Sequence, residues 1–199
     1  MAYTDRILDD GTDRDKWLAS RLPVIGASDA AKLAKPASVP LYLAAKLERH
    51  DFTGNAYTES GNRWEPMMLA WAGITPNKAL IHSPEEKGFA ATPDGISINA
   101  FDKRMAECKA KHNKIVFGPT LGEWRQIAWQ FNAVPEADEL EFIWAEIVND
   151  ELRGNEPKNL TIKRGDPKVQ STLAQILPIA TNLLARLTAA LEFERELLA

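Results

Sequence analysis

Thr92-Pro93-Asp94-Gly95-Ile96, followed thirteen residues after Asp94 by Glu107-Cys108-Lys109, is the stretch on which the reading of this chain turns. A Pro-Asp-Gly segment reverses the chain, and Arg104 to Lys109 reads as a short strand. Residues two apart on a strand share a face, so Glu107 and Lys109 point together while the Cys108 side chain points away. The turn can bring Asp94 beside Glu107 across a hairpin. Two carboxylates meeting at one point repel each other, and a divalent cation relieves that cost. A lysine on the same face can orient or deprotonate a water and offset phosphate charge, so the trio suits phosphodiester hydrolysis. Either element alone is commonly structural, a plain turn or a solvated strand face. Their order, spacing and strand context together favour a metal site.

Around this hairpin the pattern alternates between helix and strand. Upstream, Thr12 to Leu22 reads as a helix capped by Thr12, Ser28 to Leu33 as the start of a second with Ser28 as N-cap, and Pro40 to Arg49 as a third. Gly61 to Trp71 holds a fourth, its regular part expected from Pro66, with Trp64, Met67, Met68 and Trp71 at core spacing. Residues 79–82, 88–91, 96–98 and 104–109 read as short strands between Pro and Gly turns. Pro119 to Val134 returns to helix, Glu139 to Val148 is an apolar strand, and Asn159 to Lys163 a shorter one. Lys168 to Leu198 is a long helix with an expected kink at Pro178. The order predicts a mixed α/β fold with helical flanks.

Composition narrows the chemistry. The chain has 199 residues, 45% hydrophobic and 26% charged, which suits a folded domain. A polar, acidic Met1–Asp15 and the lack of a long unbroken apolar run argue against a secretory signal or a membrane span. The single Cys108 excludes an internal disulfide and any multi-cysteine zinc site, consistent with a reducing cytoplasm. With only His50, His82 and His112 besides, a metal site must rely on carboxylates, which favours Mg²⁺ or Mn²⁺. Net charge is −4, yet Lys103, Arg104, Lys109, Lys111, His112 and Lys114 gather in one run, and Lys158, Lys163, Arg164 and Lys168 in another. Their distribution suits nucleic acid better than the sum does, or is an ordinary solvated surface.

Asp followed by Glu-x-Lys on the next strand resembles the PD-(D/E)xK nuclease superfamily, and within it the lambda-exonuclease/YqaJ-like viral recombinase family. The resemblance runs from about Arg21 to Val148. It rests on Arg21-Leu22-Pro23-Val24-Ile25-Gly26-Ala27-Ser28-Asp29, Gly61-Asn62-Arg63-Trp64-Glu65, Thr92-Pro93-Asp94-Gly95, Glu107-Cys108-Lys109, and Gln126 to Phe131. It implies a restriction-endonuclease-like core, a central mixed sheet flanked by helices. Length and the lack of a clear linker suit a single nuclease domain over residues 1–199, with its core at about 12–165 and, read from pattern alone and outside the resemblance, a helical segment at 166–199. Glu65, Asp94 and Glu107 would hold a Mg²⁺, or Mn²⁺, with the Cys108 backbone carbonyl a further ligand, and Lys109 would position the attacking water. Arg21, Ser28 and Thr92 would receive a DNA 5′-phosphate; by its residues alone Ser28 reads equally as a helix cap. The family's two glutamines two apart are here Gln126 and Ala128, with Gln130 beyond, so either Gln126 or Gln130 is a candidate for the catalytic position.

The implied activity is exonucleolytic degradation of duplex DNA from the 5′ end, leaving 3′ overhangs for phage-type recombination. The implied partners are double-stranded DNA ends, a single-strand annealing protein and further copies of the chain, a trimer by resemblance, with no membrane. The implied location is the cytoplasm, that of the bacterial host if the chain is phage-encoded. The rival readings are an endonuclease or opposite-polarity nuclease of the same superfamily, and a DNA-end-binding protein without turnover. Leu177, Leu184, Leu187, Leu191 and Leu198 form one stripe on the last helix, expected to pack on the sheet, or else to meet a partner.

Overall fold

A computed structural model describes residues 2–48 and 56–198. The expected mixed α/β architecture is found, as a curled mixed sheet flanked by helices. Strands β1 (Ile7–Asp9), β2 (Leu80–His82) and β3 (Ala90–Ala91) form a three-stranded antiparallel sheet. Strands β4 (Gly95–Ile98), β5 (Lys103–His112), β6 (Glu139–Val148), β7 (Glu151–Leu152) and β8 (Lys158–Lys163) form the five-stranded one. There β4 and β5 are an antiparallel hairpin, β5 and β6 run parallel, and both β7 and β8 pair antiparallel with β6. The parallel pair needs a crossover, and helix α5 (Leu121–Ala133) supplies it.

Helices α1 (Arg14–Arg21), α2 (Ala27–Ala30), α3 (Val39–Leu47), α4 (Ala56–Ala72) and α6 (Pro167–Leu198) complete the described elements, with two short 3₁₀ turns. Several boundaries differ from expectation for identifiable reasons. Asp13, not Thr12, caps α1, accepting from the Asp15 and Lys16 N–H groups, while the Thr12 hydroxyl donates to Asp10. Ser28 does not cap α2: the cap is Gly26, whose N–H donates to the Asp29 carboxylate at 2.9 Å, and Ser28 lies within a single turn. Helix α4 does not wait for Pro66 but runs through it, and α5 starts after Pro119, with Thr120 and Glu123 exchanging cap bonds. Pro178 sits within α6 without ending it. Arg49, at the expected end of the third helix, and His50 lie outside the described residues.

One apolar core gathers residues from Ile25 to Leu187, including the inner faces of α5 and α6. Trp129 on α5 is fully buried, donates from Nε1 to the carbonyls of Ile25 (3.2 Å) and Ala90 (3.0 Å), and meets Phe89 edge-on. It therefore fixes α5 against both β3 and the segment leading to α2. On the opposite side of β5, Cys108 joins Met68, Leu69, Ile143 and Ala145 in a second cluster, against which Trp64 and Met67 pack. Trp71 departs from its expected core role: it is largely exposed, and its Nε1 donates to Glu156. Helix α6 is long and apolar enough by composition to cross a membrane, but Val169, Ile176, Ile179, Ala180, Leu183 and Leu187 are buried in the common core. Leu177, Leu184 and Leu191 pack partly against it, whereas Leu198 is 82% exposed and falls outside the stripe.

Candidate active site

The β4–β5 hairpin pairs Gly95 with Ala106, and the Asp94 N–H donates to the Ala106 carbonyl at 3.0 Å. That register carries Asp94 to Glu107 and Cys108, and the Cys108 N–H donates to Asp94 Oδ2 at 2.6 Å. Strand alternation turns Glu107 and Lys109 toward α5 and Cys108 toward the second cluster. Glu107 is almost wholly buried. Its Oε1 accepts from the Lys109 ammonium and from Gln126 Nε2 (2.5 Å), and its Oε2 accepts from Gln130 Nε2. Gln126 and Gln130, one helical turn apart on α5, thus both reach the site, and neither replaces the other. Glu65 on α4 is half-buried and close enough to Glu107 and Lys109 to feel their charge.

The electrostatics of this cluster are those of carboxylates in excess. Burial raises the Asp94 carboxyl well above its usual range, the Glu107 and Glu65 charges add to this, and Lys109 and the Cys108 N–H oppose it. Glu65 is raised by burial and then by Glu107, against Lys109 and Lys78. For Lys109 desolvation works against the charge, but Glu107 and Asp94 outweigh it and hold the ammonium protonated. Lys109 is therefore an ammonium beside Glu107, suited to orienting a water and neutralising charge. Burial makes the Cys108 thiol inert as an acid, leaving only its backbone to contribute. Among the described residues, no three His, Cys, Asp or Glu side chains stand tightly enough together to hold a metal ion as placed. The donor chemistry nevertheless fits a hard divalent cation, because it is all carboxylate oxygen and the negative charge is incompletely neutralised by Lys109.

A second cluster lies at the start of α2. Arg21 donates from Nη2 to Ser28 Oγ at 2.6 Å and lies over the Trp17 ring, its guanidinium carbon 4.5 Å from the centroid. Asp29 holds Lys46 at 2.7 Å. Desolvation lowers the pKa of both Arg21 and Lys46, and Asp29 counteracts it in each. The expected pairing of Arg21 with Ser28 is thus present, made by the side chains alone, since the one-turn α2 is too short for a helix-terminus contribution. Thr92 does not join that contact: its hydroxyl is buried and has no hydrogen-bond partner among the described residues.

The sequence reading missed Asn77. Its N–H donates to the Asp94 carbonyl (2.9 Å) and its Nδ2 to the Pro93 carbonyl (2.8 Å), which fixes the turn that aims Asp94. An Asn after a proline signals a turn, but nothing in the spacing connects it to residues 16 positions later. The two basic runs also look different once folded. Lys103 and Arg164 face Asp138, Arg104 faces Asp102, Lys111 faces Glu123, and Lys158 faces Glu146. Most of that positive charge is engaged in internal ion pairs and does not form an open strip.

The fold is shared with an alkaline exonuclease from Laribacter hongkongensis, 21% identical over 93% of this chain and 100% of that one, with a TM-score of 0.67. The structure of that enzyme in complex with dAMP gives 0.64 at the same identity and coverage. A phage-related exonuclease from Haemophilus somnus 129PT is 13% identical, with 94% of this chain and 93% of that one covered and a TM-score of 0.54. At these identities the likeness is one of fold. No curated protein matches the chain. The sequence itself matches the YqaJ-like viral recombinase domain over residues 16–136, a span that contains every candidate site residue named above. With more than half its length matched, the chain belongs to the YqaJ-like viral recombinase domain family.

Proposed function

We propose that this protein is a divalent-metal-dependent exonuclease that degrades one strand of duplex DNA from the 5′ end, leaving 3′ overhangs for recombination. The observation that carries the reading is the convergence of Asp94, Glu107 and Lys109 across one hairpin, in a family of viral recombinases. Nucleases of this kind depend in general on a divalent metal ion, and the carboxylate donor set favours Mg²⁺, with Mn²⁺ an acceptable substitute. Asp94, Glu107 and Glu65, with the Cys108 carbonyl, would hold it. When bound, the ion supplies Lewis-acid polarisation of the phosphoryl oxygen and a more acidic water.

The protein's own groups do the rest. Lys109, kept as an ammonium, would orient the attacking water and offset the negative charge that develops on the phosphoryl oxygens. Gln126 and Gln130 fix the Glu107 carboxylate, so that it meets the metal in one orientation. Arg21 and Ser28 would take the terminal phosphate of the 5′ end, a group whose greater charge an arginine fork prefers to an internal diester. Thr92, one residue before Pro93, would be the third group of that pocket; its buried hydroxyl has no hydrogen-bond partner among the described residues.

The largest apolar core, shared by the hairpin, α5 and α6, supports reading residues 1–199 as one nuclease domain. The partners in this reading are duplex DNA ends, an annealing protein and further copies of the chain, in a cytoplasm that keeps Cys108 reduced. The deciding experiment is incubation with 5′-phosphorylated linear duplex or covalently closed circular DNA, with Mg²⁺ or with EDTA. Loss of linear duplex only, and only with Mg²⁺, is the expected result. Cutting of the circle would make the protein an endonuclease, and no cleavage of either would make it a binding protein.

A further inference from the structure

The loop between β5 and α5 carries large apolar side chains that the fold leaves uncovered. Ile115 is 54% exposed and Phe117 93%, while Val116 between them packs against the core. The exposure is not that of a slack segment. The Asn113 N–H donates to the Ile147 carbonyl at 2.9 Å. The Val116 N–H donates to Glu146 Oε1 at 2.8 Å, and Lys158 Nζ donates to the same oxygen at 2.9 Å. Thr120 ends the loop as the α5 cap. With its backbone pinned at three places, the loop holds the main chain around Phe117 in place and turns the ring to solvent.

The sheet register locates that position. Glu107 pairs with Phe142, and Phe142 with Leu160, so these three side chains lie in one row on one face. In the next row Lys109, Trp144 and Lys158 are aligned in the same way. A side chain at Gly118 would begin 4.0 Å from Leu160 Cδ2. The Phe117-Gly118 corner therefore sits above Leu160, on the face that carries Glu107, two strands and roughly 10 Å away. Trp144, between Lys109 and Lys158, is buried, and its Nε1 donor has no partner among the described residues. Lys114, three residues before Phe117 in the chain, is exposed, while Lys158 is half-exposed and held by Glu146.

We propose that the loop from Asn113 to Thr120 is a stacking platform for the unpaired bases of a DNA strand, with Phe117 as the stacking ring and Lys114, three residues before it, toward the backbone. A solvent-facing aromatic ring on a held backbone, with an exposed lysine nearby in the chain, is an arrangement that holds single strands without regard to sequence. A second copy of the chain suits the surface less well. An aromatic side chain buries about 150–250 Å², so Phe117 with Ile115 and Leu160 gives a patch of a few hundred square ångströms. A stable protein interface takes roughly 800 Å² from each partner.

The inference rests on the nuclease reading, and the test separates the two. Affinity is measured by fluorescence anisotropy in EDTA, where no cleavage intervenes, for a short oligothymidylate and for a blunt DNA hairpin. Wild type is compared with Phe117→Ala and Phe117→Trp. Phe117→Ala should weaken oligothymidylate binding about tenfold or more, Phe117→Trp should keep it, and hairpin binding should be unchanged in both. The oligothymidylate should also quench the additional indole fluorescence that Phe117→Trp shows over wild type. Unchanged oligothymidylate affinity in Phe117→Ala overturns the platform, as does an equal loss for both DNAs. A drop in molecular mass by light scattering with oligothymidylate affinity intact assigns the loop to self-association and likewise overturns it. Wild type that fails to bind oligothymidylate overturns the platform, whereas the nuclease reading is decided by the cleavage assay with Mg²⁺ or EDTA.

Discussion

Replacing Asp94 by Asn should make the metal-free protein more stable while abolishing cleavage. Asp94 is held in a half-buried position among Glu107 and Glu65, and burial and those two charges push its carboxyl well above the ordinary 3.8. A carboxyl whose pKa rises on folding contributes stability that is fully present below the unfolded value and lost as pH rises through the folded one. At neutral pH without metal, Asp94 is therefore a liability to the fold. Asn is nearly isosteric, and its carbonyl oxygen can still accept the Cys108 N–H, so the substitution removes the charge and little else. Relieving one such charge is worth about 0.5–2 kcal/mol. For a chain of this length that corresponds to a rise in Tm of about 2–6 °C. In wild type, Mg²⁺ at about a hundred times its Kd should add about 2.7 kcal/mol, or about 5–10 °C, and in Asp94→Asn most of that gain should vanish. Thermal unfolding in EDTA and in Mg²⁺, between about pH 5 and pH 8, reads all of this, the EDTA advantage of the variant widening as pH rises. The assignment of Asp94 to a metal site fails if the variant melts lower than wild type in EDTA, or if Mg²⁺ raises both melting temperatures equally.

The remaining expectations concern the other parts of the molecule. Lys109→Ala should lower the cleavage rate on the order of 10²–10³-fold, the range for losing one transition-state donor, while keeping the Mg²⁺-induced rise in Tm; a loss of both would make Lys109 a prop for Glu107 alone. Arg21→Ala should slow 5′-phosphorylated duplex about tenfold or more and leave 5′-hydroxyl duplex unaffected, since a charge-assisted hydrogen bond contributes about 1.5–3 kcal/mol; equal initial rates for both ends in wild type would refute the 5′ pocket. Truncation after Asp166 removes Ile176, Ile179, Leu183 and Leu187 from the core at about 2–5 kcal/mol each, more than the total stability of a domain. The product should be unfolded by circular dichroism, and a folded one would mean that α6 serves an interface instead.

What could be read from the sequence was what depends on short-range periodicity. The β4–β5 hairpin, the β6 strand and the orientation of Glu107 with Lys109 all follow from the two-residue repeat and a turn between them. The long α6 follows from its 3.6-residue stripe, up to the point where Leu198 runs past the end of the core. What could not be read depends on partners far apart in the chain. β1 has three residues and exists because β2, more than seventy positions later, pairs with it. Arg6, almost wholly buried, is tolerable because Glu136 meets it with both carboxylate oxygens at 2.6 and 2.7 Å and the His82 and Ala133 carbonyls accept from it as well. Ser28 looked like a cap because serine before an apolar run usually is one. Asp29, reaching back to Gly26, took that role and left the hydroxyl to Arg21. The choice between Gln126 and Gln130 was undecidable for a different reason: a helical face admits both, and Glu107 has two oxygens to receive them.

Helix α5 ties these observations to one another. One of its faces holds Glu107 through Gln126 and Gln130, one turn apart. Between them Trp129 binds the carbonyls of Ile25 and Ala90, so the same helix fixes the segment between Arg21 and Ser28. Arg125, on a third face, donates to the Ala31 carbonyl at 2.8 Å, at the end of α2. Trp124 lies under Lys168 of α6, 4.0 Å from its ammonium. The candidate metal carboxylate and the candidate phosphate pocket are therefore positioned by one rigid rod, not by two independent loops. An exonuclease that measures from a terminal phosphate to the bond it cuts needs that distance fixed. A side chain that shifts α5 without touching either cluster, such as Trp129, would thus change where the strand is cut as well as how fast.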